Sequence, residues 1–422
     1  MTYKPFIFKL NNIDVSKIFD NNDVIKSSNI NKPLFSLGFH SFIHRTKSAM
    51  AITDKLETKN KFYYIVNPFE HNINDYDKDI HHISKTFLNE QNIIARSFYK
   101  MWEMLYLFDI ANSNDGLTMV GLAEGPGSFI QAFVEFREKY FEASKDTIYT
   151  LNKDINHEMV DNINGRYNNM ISVLKTKSTK TTKSVSLNGD LTKPETIDYL
   201  NNNIKKKADL ITVDGELKWE NENYQEQESY GLILGEIIGI LSIQAKGGSC
   251  VLKVFETFTH ISIKLIYILA SFYEECYIYK PFFSRDTNSE KYIICKKFKH
   301  DTIGDKHMKL LLETLKKCDT NIFINDIFPE FIVKDEDMNI FKYININIAN
   351  TQQIMINNLI VYIKSNNYFG DMYHNYRDLQ IKANKWWIDN FFTDKLNEKT
   401  TMIKDIIKYN ESELNLFVKK LI

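Results

Sequence analysis

Apolar positions along the chain fall into two rhythms, and the rhythm changes several times. "NIIARSFYKMWEMLYLFDI", from Asn92, repeats its apolar residues at helical spacing. "VGLAEGPGSF", Val120 to Phe129, is a continuous apolar run that stops at an acid and turns through Gly-Pro-Gly. Helical spacing then resumes at Phe129, Ile130, Phe133, Val134 and Phe141, so the segment predicts strand, tight turn and helix. "DTIYTLN" predicts a short strand. "LNGDLTKPETIDYLNNNI" predicts a turn entering a helix, with Pro194 and Glu195 in its first turn. "ADLITVDG" predicts a buried strand ending at Asp214, followed by the apolar helix "YGLILGEIIGILSIQA" and the strand "GGSCVLKVF". A further helix, "HISIKLIYILASFY", leads to "EECYIYKP" and to the strand "EKYIICKKF".

Strands that alternate with helices predict an α/β fold with a mostly parallel, doubly wound sheet. Residues 1–85 read as an irregular N-terminal extension. Beyond residue 300 long helical segments rich in Ile, Asn, Tyr and Trp take over, including "NYFGDMYHNYRDLQIKANKWWIDNFF". Three parts are therefore expected: an extension over 1–85, the α/β domain over 86–300 and a mainly helical region over 301–422.

Composition narrows the function classes. The chain has 422 residues, enough for a large core and more than one unit. Its formal net charge of −1 gives no global attraction to nucleic acid or membrane, so any nucleic-acid surface must be local. The abundance of Asn, Ile and Lys, with 7 Pro and 15 Gly, reflects an AT-rich genome, as in a large DNA virus or a protist. Cys250, Cys276, Cys295 and Cys318 lack metal-ligand spacing and are expected as free thiols in a reducing, intracellular compartment. No membrane span and no signal-peptide pattern is expected. His71, His81 and His82 lie among acids, either as a solvated loop or as a metal site.

In an open parallel sheet, sites form beyond the carboxyl ends of the strands. Glu124 and the glycine turn, Asp214, and Lys253 stand at such ends, and Glu290 precedes the last strand. Gly125 and Gly127 would let backbone approach a ligand, and the following helix would aim its amides at it. The spacing matches neither a dinucleotide nor a phosphate-loop consensus. Lys100 sits on a helix that is apolar all round, so it either snorkels to the surface or points into a site. Together Lys100, Asp214, Lys253 and Glu290 balance two cations against two anions.

"RSFYKMWEM", "LAEGPGSFIQAF", "NGDLTKPETI", "DLITVDGE", "GGSCVLKVFETFT" and "KPFFSRDTNSEKYIIC" occur in this order and resemble the FtsJ-type RNA 2′-O-methyltransferases. The similarity spans roughly residues 92 to 300 and is strongest to the eukaryotic and viral branch that methylates the first nucleotides of capped mRNA. It implies a Rossmann-like fold, S-adenosylmethionine as cofactor, and Lys100, Asp214, Lys253 and Glu290 as a catalytic tetrad. It implies a cofactor site at Glu124, Gly125, Pro126, Gly127, Ser128 and Phe129, with Asp190 near the adenine and Asp154 as a ribose candidate. Glu124 departs from the family, where many members carry a small residue. The basic "LKTKSTKTTK" would line the RNA path with Lys175, Lys177, Lys180 and Lys183, or is a solvated loop. RNA, in particular capped mRNA, is the expected partner. Other capping or transcription proteins would dock on the C-terminal region. A ribosomal or transfer RNA enzyme, and a non-catalytic cap-binding scaffold, are the rival readings. Trp386 and Trp387 are expected in the core.

Overall fold

The computed structural model describes residues 3, 5–13, 18, 23–29, 37–55, 65–70, 87–88, 93–124, 127–151, 171–174, 189–215, 224–318, 323–365, 370–396 and 399–421. The alternation of the sequence becomes one eight-stranded sheet. Its strands are β1 (Phe6–Lys9), β3 (Thr118–Leu122), β4 (Thr147–Leu151), β5 (Ile171–Val173), β6 (Ala208–Val213), β7 (Gln244–Val254), β8 (Tyr273–Lys280) and β9 (Lys291–Phe298). Their spatial order is β1-β8-β9-β7-β6-β3-β4-β5. The run β7-β6-β3-β4-β5 is parallel throughout. At the other end β9 slots antiparallel between β7 and β8, and β1 adds antiparallel to β8.

The helices that link the parallel strands cover both faces, as expected of a sheet buried on two sides. On one face α2 (Ser97–Phe108) and α3 (Ser128–Tyr140) pack over Met119, Ile148, Leu210 and Val251. On the other, α4 (Pro194–Asn203), α5 (Gln225–Ile243) and α6 (His260–Ser271) pack over Val120, Leu122, Ile211 and Leu252. The strict alternation along each strand assigns neighbouring residues to opposite faces.

The N-terminal stretch, expected to be irregular, supplies β1 to the main sheet, β2 (Val24–Ser27), and α1 (Leu37–Ser48). Four-residue strands such as "FIFK" are too short to show a period, which is why the pattern alone misses them. Strand β2 pairs antiparallel with β10 (Phe323–Ile327), a strand inside the region expected to be helical. The remaining C-terminal elements are α7 (Asp305–Cys318), α8 (Asp335–Ser365), α9 (Asp371–Phe391) and α10 (Lys399–Leu421). Helix α10 crosses back over β1, where Asn410 Nδ2 donates to the Ile7 carbonyl at 2.8 Å. Trp387 is fully buried, and Trp386 is half-buried against Tyr3, Phe69 and Phe282. Cys250, Cys276 and Cys295 are buried free thiols, and Cys318 is half-buried. Among the described residues no helix is long and apolar enough to cross a membrane.

One buried cation ties the start of the domain together. Arg137 on α3 is fully buried and forks onto Asp146, Nε to Oδ2 at 2.8 Å and Nη2 to Oδ1 at 2.9 Å. It also donates to the carbonyls of Ala111, Ser113 and Asp115, while Asp146 Oδ1 accepts the Leu117 amide. The guanidinium thereby fixes the chain that enters β3 and the one that enters β4. Removing it leaves Asp146 buried and unpaired. We expect Arg137→Met to lower unfolding free energy by roughly 3–5 kcal/mol, read by denaturant titration.

Candidate active site

Strand parity brings the charged residues together. On β7, Lys253 lies two residues past Val251 and shares its face, the face under α2. On β9, Tyr292 stands opposite Lys253, and Glu290 lies two residues before Tyr292, on the same side. Lys100 projects from α2, whose residues are buried on all sides. The four residues Lys100, Asp214, Lys253 and Glu290 therefore meet at the carboxyl edge of the sheet, and they do so as two ion pairs. Lys100 Nζ donates to Glu290 Oε1 at 2.5 Å, with both side chains under a tenth exposed. Lys253 Nζ stands 3.0 Å from Asp214 Oδ1 and donates to the Asp214 carbonyl at 3.1 Å. Lys100 does not snorkel. It holds Glu290.

The loop that carries Glu290 is fastened from inside. Glu103, one turn along α2 from Lys100, is fully buried and accepts Tyr279 Oη at 2.5 Å, the Phe282 amide at 2.8 Å, the Phe283 amide at 3.2 Å and Trp387 Nε1 at 2.9 Å. Burial pushes its carboxyl up to about 7 against those four donors. Lys280, at the end of β8, donates to the carbonyls of Arg285, Asn288 and Glu290. Burial pushes the Lys280 ammonium down to about 8, with Asp286 and Glu290 opposing. C-terminal side chains reach the same loops: Gln352 Nε2 donates to the Thr287 carbonyl, and Asn345 Nδ2 to the Thr257 carbonyl just beyond β7.

Beside Lys100 stands a feature the sequence did not flag. Glu70 Oε2 accepts both Arg96 Nη1 at 2.9 Å and Arg285 Nε at 2.7 Å. The carboxylate is buried, whereas both guanidinium side chains keep roughly a fifth of their surface open. Arg96 lies one helical turn before Lys100. The cluster carries a net positive charge at the rim of the tetrad. Its parts are distant in sequence, and Glu70 sits in a stretch that reads as irregular. Only the i, i+4 spacing of Arg96 and Lys100 was there to be seen.

At the glycine turn, Gly127 holds φ +89 as the residue capping α3, a left-handed conformation that glycine adopts without steric cost. Glu124 is 3% exposed, and its Oε1 accepts the Phe129 amide at 2.5 Å, so the acid on the leading edge caps the helix that follows. Burial pushes its carboxyl up to about 8, helped by Asp214 and opposed by the Phe129 and Ile130 amides. The Phe129 ring is core, packed at 6.0 Å against Tyr292. Ser128 is buried, and its hydroxyl oxygen has no hydrogen-bond partner among the described residues. Asp190 Oδ1 accepts the Thr192 amide and hydroxyl at 2.9 and 2.7 Å, closing the turn before α4. Gly125, Pro126, Asp154, Lys175, Lys177, Lys180 and Lys183 lie outside the described residues, as do His71, His81 and His82. Among the described residues no cluster of His, Cys, Asp and Glu forms a metal site.

A parallel sheet with a helix-capping glycine turn and a charge-balanced quartet at its carboxyl edge is the architecture of a Rossmann-like domain. The comparisons narrow this. Residues 93–298 match the sequence model of the FtsJ-like methyltransferases, and this part of the chain is an FtsJ-like methyltransferase domain. A mimivirus protein of uncharacterised function (Acanthamoeba polyphaga mimivirus) is 26% identical over 76% of this chain and 40% of its own length. The cap-specific mRNA (nucleoside-2′-O-)-methyltransferase 1A of Caenorhabditis briggsae is 30% identical over 48% of this chain and 24% of its own. The human cap-specific mRNA (nucleoside-2′-O-)-methyltransferase 1 is 32% identical over 35% and 19%. The chain thus spans less than half the length of these curated relatives. Among solved structures, a ribosomal RNA methyltransferase from Plasmodium falciparum aligns at 18% identity and a TM-score of 0.34, over 48% of this chain and 97% of that one.

The residues present suit S-adenosylmethionine, the cofactor of this family. The turn carries a glycine with positive φ at Gly127, Ser128 has a hydroxyl with no partner among the described residues, and the acids Glu124, Asp214 and Glu236 stand at the ends of β3 and β6. No phosphate has to be cradled there.

Burial alone would raise the Glu290 carboxyl, yet Lys100, Lys253 and Lys280 hold it down at about 2. A depressed carboxyl stabilises the fold above its unfolded value of about 4.5 and loses that effect as pH falls towards 2. The stability gap between wild type and Glu290→Gln should therefore stay constant above pH 5.5 and narrow steadily below it. Paired denaturant titrations from pH 7 to pH 3 check this; a gap independent of pH would remove the ion pair from the stability of the site.

Proposed function

We propose that this chain is an S-adenosylmethionine-dependent RNA ribose 2′-O-methyltransferase acting on the first transcribed nucleotides of capped mRNA, taking cap-0 to cap-1. The observation that carries the reading is the pair of ion pairs, Lys100–Glu290 and Lys253–Asp214, converging where a parallel sheet presents groups to ligand. Sequence similarity to cap-specific enzymes supports the substrate. Residues 86–300 form the catalytic unit in this reading, with 1–85 and 301–422 bracing it. The protein would act inside the cell, wherever transcripts are capped, and other capping or transcription proteins would meet it through the C-terminal region.

When bound, S-adenosylmethionine supplies an activated methyl group on a sulfonium. The chain's own residues do the rest. Lys253 takes or steers the proton of the ribose 2′-hydroxyl. Asp214 fixes Lys253 Nζ through its carboxylate and its carbonyl. Glu290 neutralises Lys100, which leaves Lys100 as a fixed donor for the ribose oxygen rather than a second free charge. Tyr292 Oη, 3.2 Å from Glu290 Oε1, holds that carboxylate in place. Alignment of the reacting groups would provide much of the rate.

Arginine at 253 keeps the charge but cannot serve as a base. We expect Lys253→Arg and Lys253→Ala each to slow single-turnover methyl transfer by about 10²-fold or more while cofactor affinity stays near wild type. Transfer to capped RNA but not to uncapped RNA of the same sequence supports cap specificity; equal transfer favours the ribosomal or transfer RNA reading. Wild-type rates in Lys253→Ala would take Lys253 out of the mechanism, and an absence of transfer by the wild type to either RNA would favour the non-catalytic scaffold.

Arg96 and Arg285, whose side chains are about a fifth exposed beside the tetrad, suit a backbone phosphate next to the target ribose. Replacing both by Met should weaken RNA binding roughly tenfold and lower the slope of log affinity against log salt by about 1 to 2, one counterion for each lost phosphate contact. An unchanged slope would take both arginines off the RNA path.

A further inference from the structure

Three carboxyl groups gather below the ends of β3 and β6. Glu124 follows β3, Asp214 follows β6, and Glu236 reaches them from the middle of α5. Glu236 is the polar exception in "LILGEIIGIL", a helix segment that otherwise reads as core. It is 2% exposed, and its Oε1 has no hydrogen-bond partner among the described residues. That oxygen lies directly over Gly215: a methyl group on Gly215 would collide with it and would stand 3.6 Å from Ala123 Cβ. Ala123 itself bends the end of β3 with φ +52. The two strand ends thus close around one buried, under-satisfied carboxyl. Such a group is destabilising in a resting protein and needs a compensating use. Among the described residues, Lys253 on β7 and Asp214 act on Glu236, and Asp214 acts on Glu124. Lys253 is already paired with Asp214, so the described residues set three acids against this one lysine.

We propose that Glu236 is a positioning residue which, with Glu124 and Asp214, supplies the negative field by which this pocket prefers a sulfonium cofactor to its neutral thioether product. The proposal rests on the methyltransferase reading and goes further into the same site. Methyl transfer removes one positive charge from the cofactor, as the sulfur changes from sulfonium to thioether. An acid-rich pocket would hold the charged donor and release the neutral product. Burial pushes the carboxyls of both Glu236 and Glu124 up to about 8, so near neutral pH both are largely protonated. A cation placed above them favours the ionised form. Donor binding should therefore expel protons, and donor affinity should rise with pH up to about 8. The thioether should show less of both.

Titration calorimetry separates these effects. S-adenosylmethionine and S-adenosylhomocysteine are each titrated into the full chain at pH 7, in two buffers of different ionisation enthalpy. We expect wild type to release more protons with the sulfonium ligand than with the thioether. In Glu236→Gln that excess should shrink, and the preference for sulfonium over thioether should drop roughly tenfold, with thioether affinity within about twofold of wild type. Gly215→Ala, which displaces the Glu236 carboxyl, should reproduce the loss of preference if the glutamine variant folds poorly. Equal proton release by the two ligands in wild type overturns the proposal, as does an unchanged preference in both variants. Absence of binding by either ligand overturns the cofactor reading itself, and the proposal with it.

Discussion

The Lys100–Glu290 contact is the interaction on which the rest of the site depends. Two ions that are almost out of reach of water hold together only if their geometry is set by surroundings that cannot relax. Lys100 comes from a helix without a polar face, so its position is fixed by core packing on every side. Glu290 comes from a loop, the less certain partner, and the structure compensates by nailing that loop from within. Glu103 holds its first residues by their amides, and Lys280 holds its last ones by their carbonyls. A buried carboxylate accepting amides and a buried ammonium donating to carbonyls are opposite solutions to one problem, the unpaired backbone of a turn that has no sheet to join.

That requirement explains why the chain extends so far beyond the sheet. The C-terminal helices could have covered the domain with apolar side chains alone. They instead place polar side chains on the functional loops: Gln352 on the Glu290 loop, Asn345 beyond Lys253, Trp387 on Glu103, and Asn384 on the carbonyl of Glu70. Each bond is buried, so each is worth more than it would be at a surface, and each leaves an unsatisfied group if lost. The helices therefore form the outer wall of the candidate site as well as its cover. In this architecture the catalytic strands contribute position along the sheet, and the appended helices contribute rigidity across it.

What could be read from sequence follows from range. The glycine turn, Asp214 and Lys253 were legible because each ends a run of apolar residues, a purely local signal. Lys100 was legible because a lysine inside a wholly apolar helix contradicts its neighbours. The tetrad as a group came from resemblance to a family; spacing alone leaves the pairing open, and only register and parity decide that Lys253 faces Asp214 while Glu290 faces Lys100. The Glu70–Arg96–Arg285 cluster joins three segments that share no period, so no window along the chain contains it. Glu236 was hidden for the opposite reason: one acid in an apolar helix reads as a tolerated exception until the strand ends that it touches are known. Strand β1 was missed because four residues cannot display an alternation.

The charge arrangement has to satisfy folding and chemistry at once, and these pull in different directions. Folding favours a neutral quartet, since every uncompensated buried charge destabilises the domain. A sulfonium cofactor favours excess acid near the strand ends. Both demands can be met if the excess acids are neutral when the pocket is empty and charged when it is filled. Burial of Glu124 and Glu236 provides that behaviour without any moving part, because the same desolvation that raises their proton affinity makes them sensitive to a nearby cation. In the proposed reading the fixed ion pairs would set where the methyl acceptor sits, and the titratable acids would then set which form of the cofactor stays.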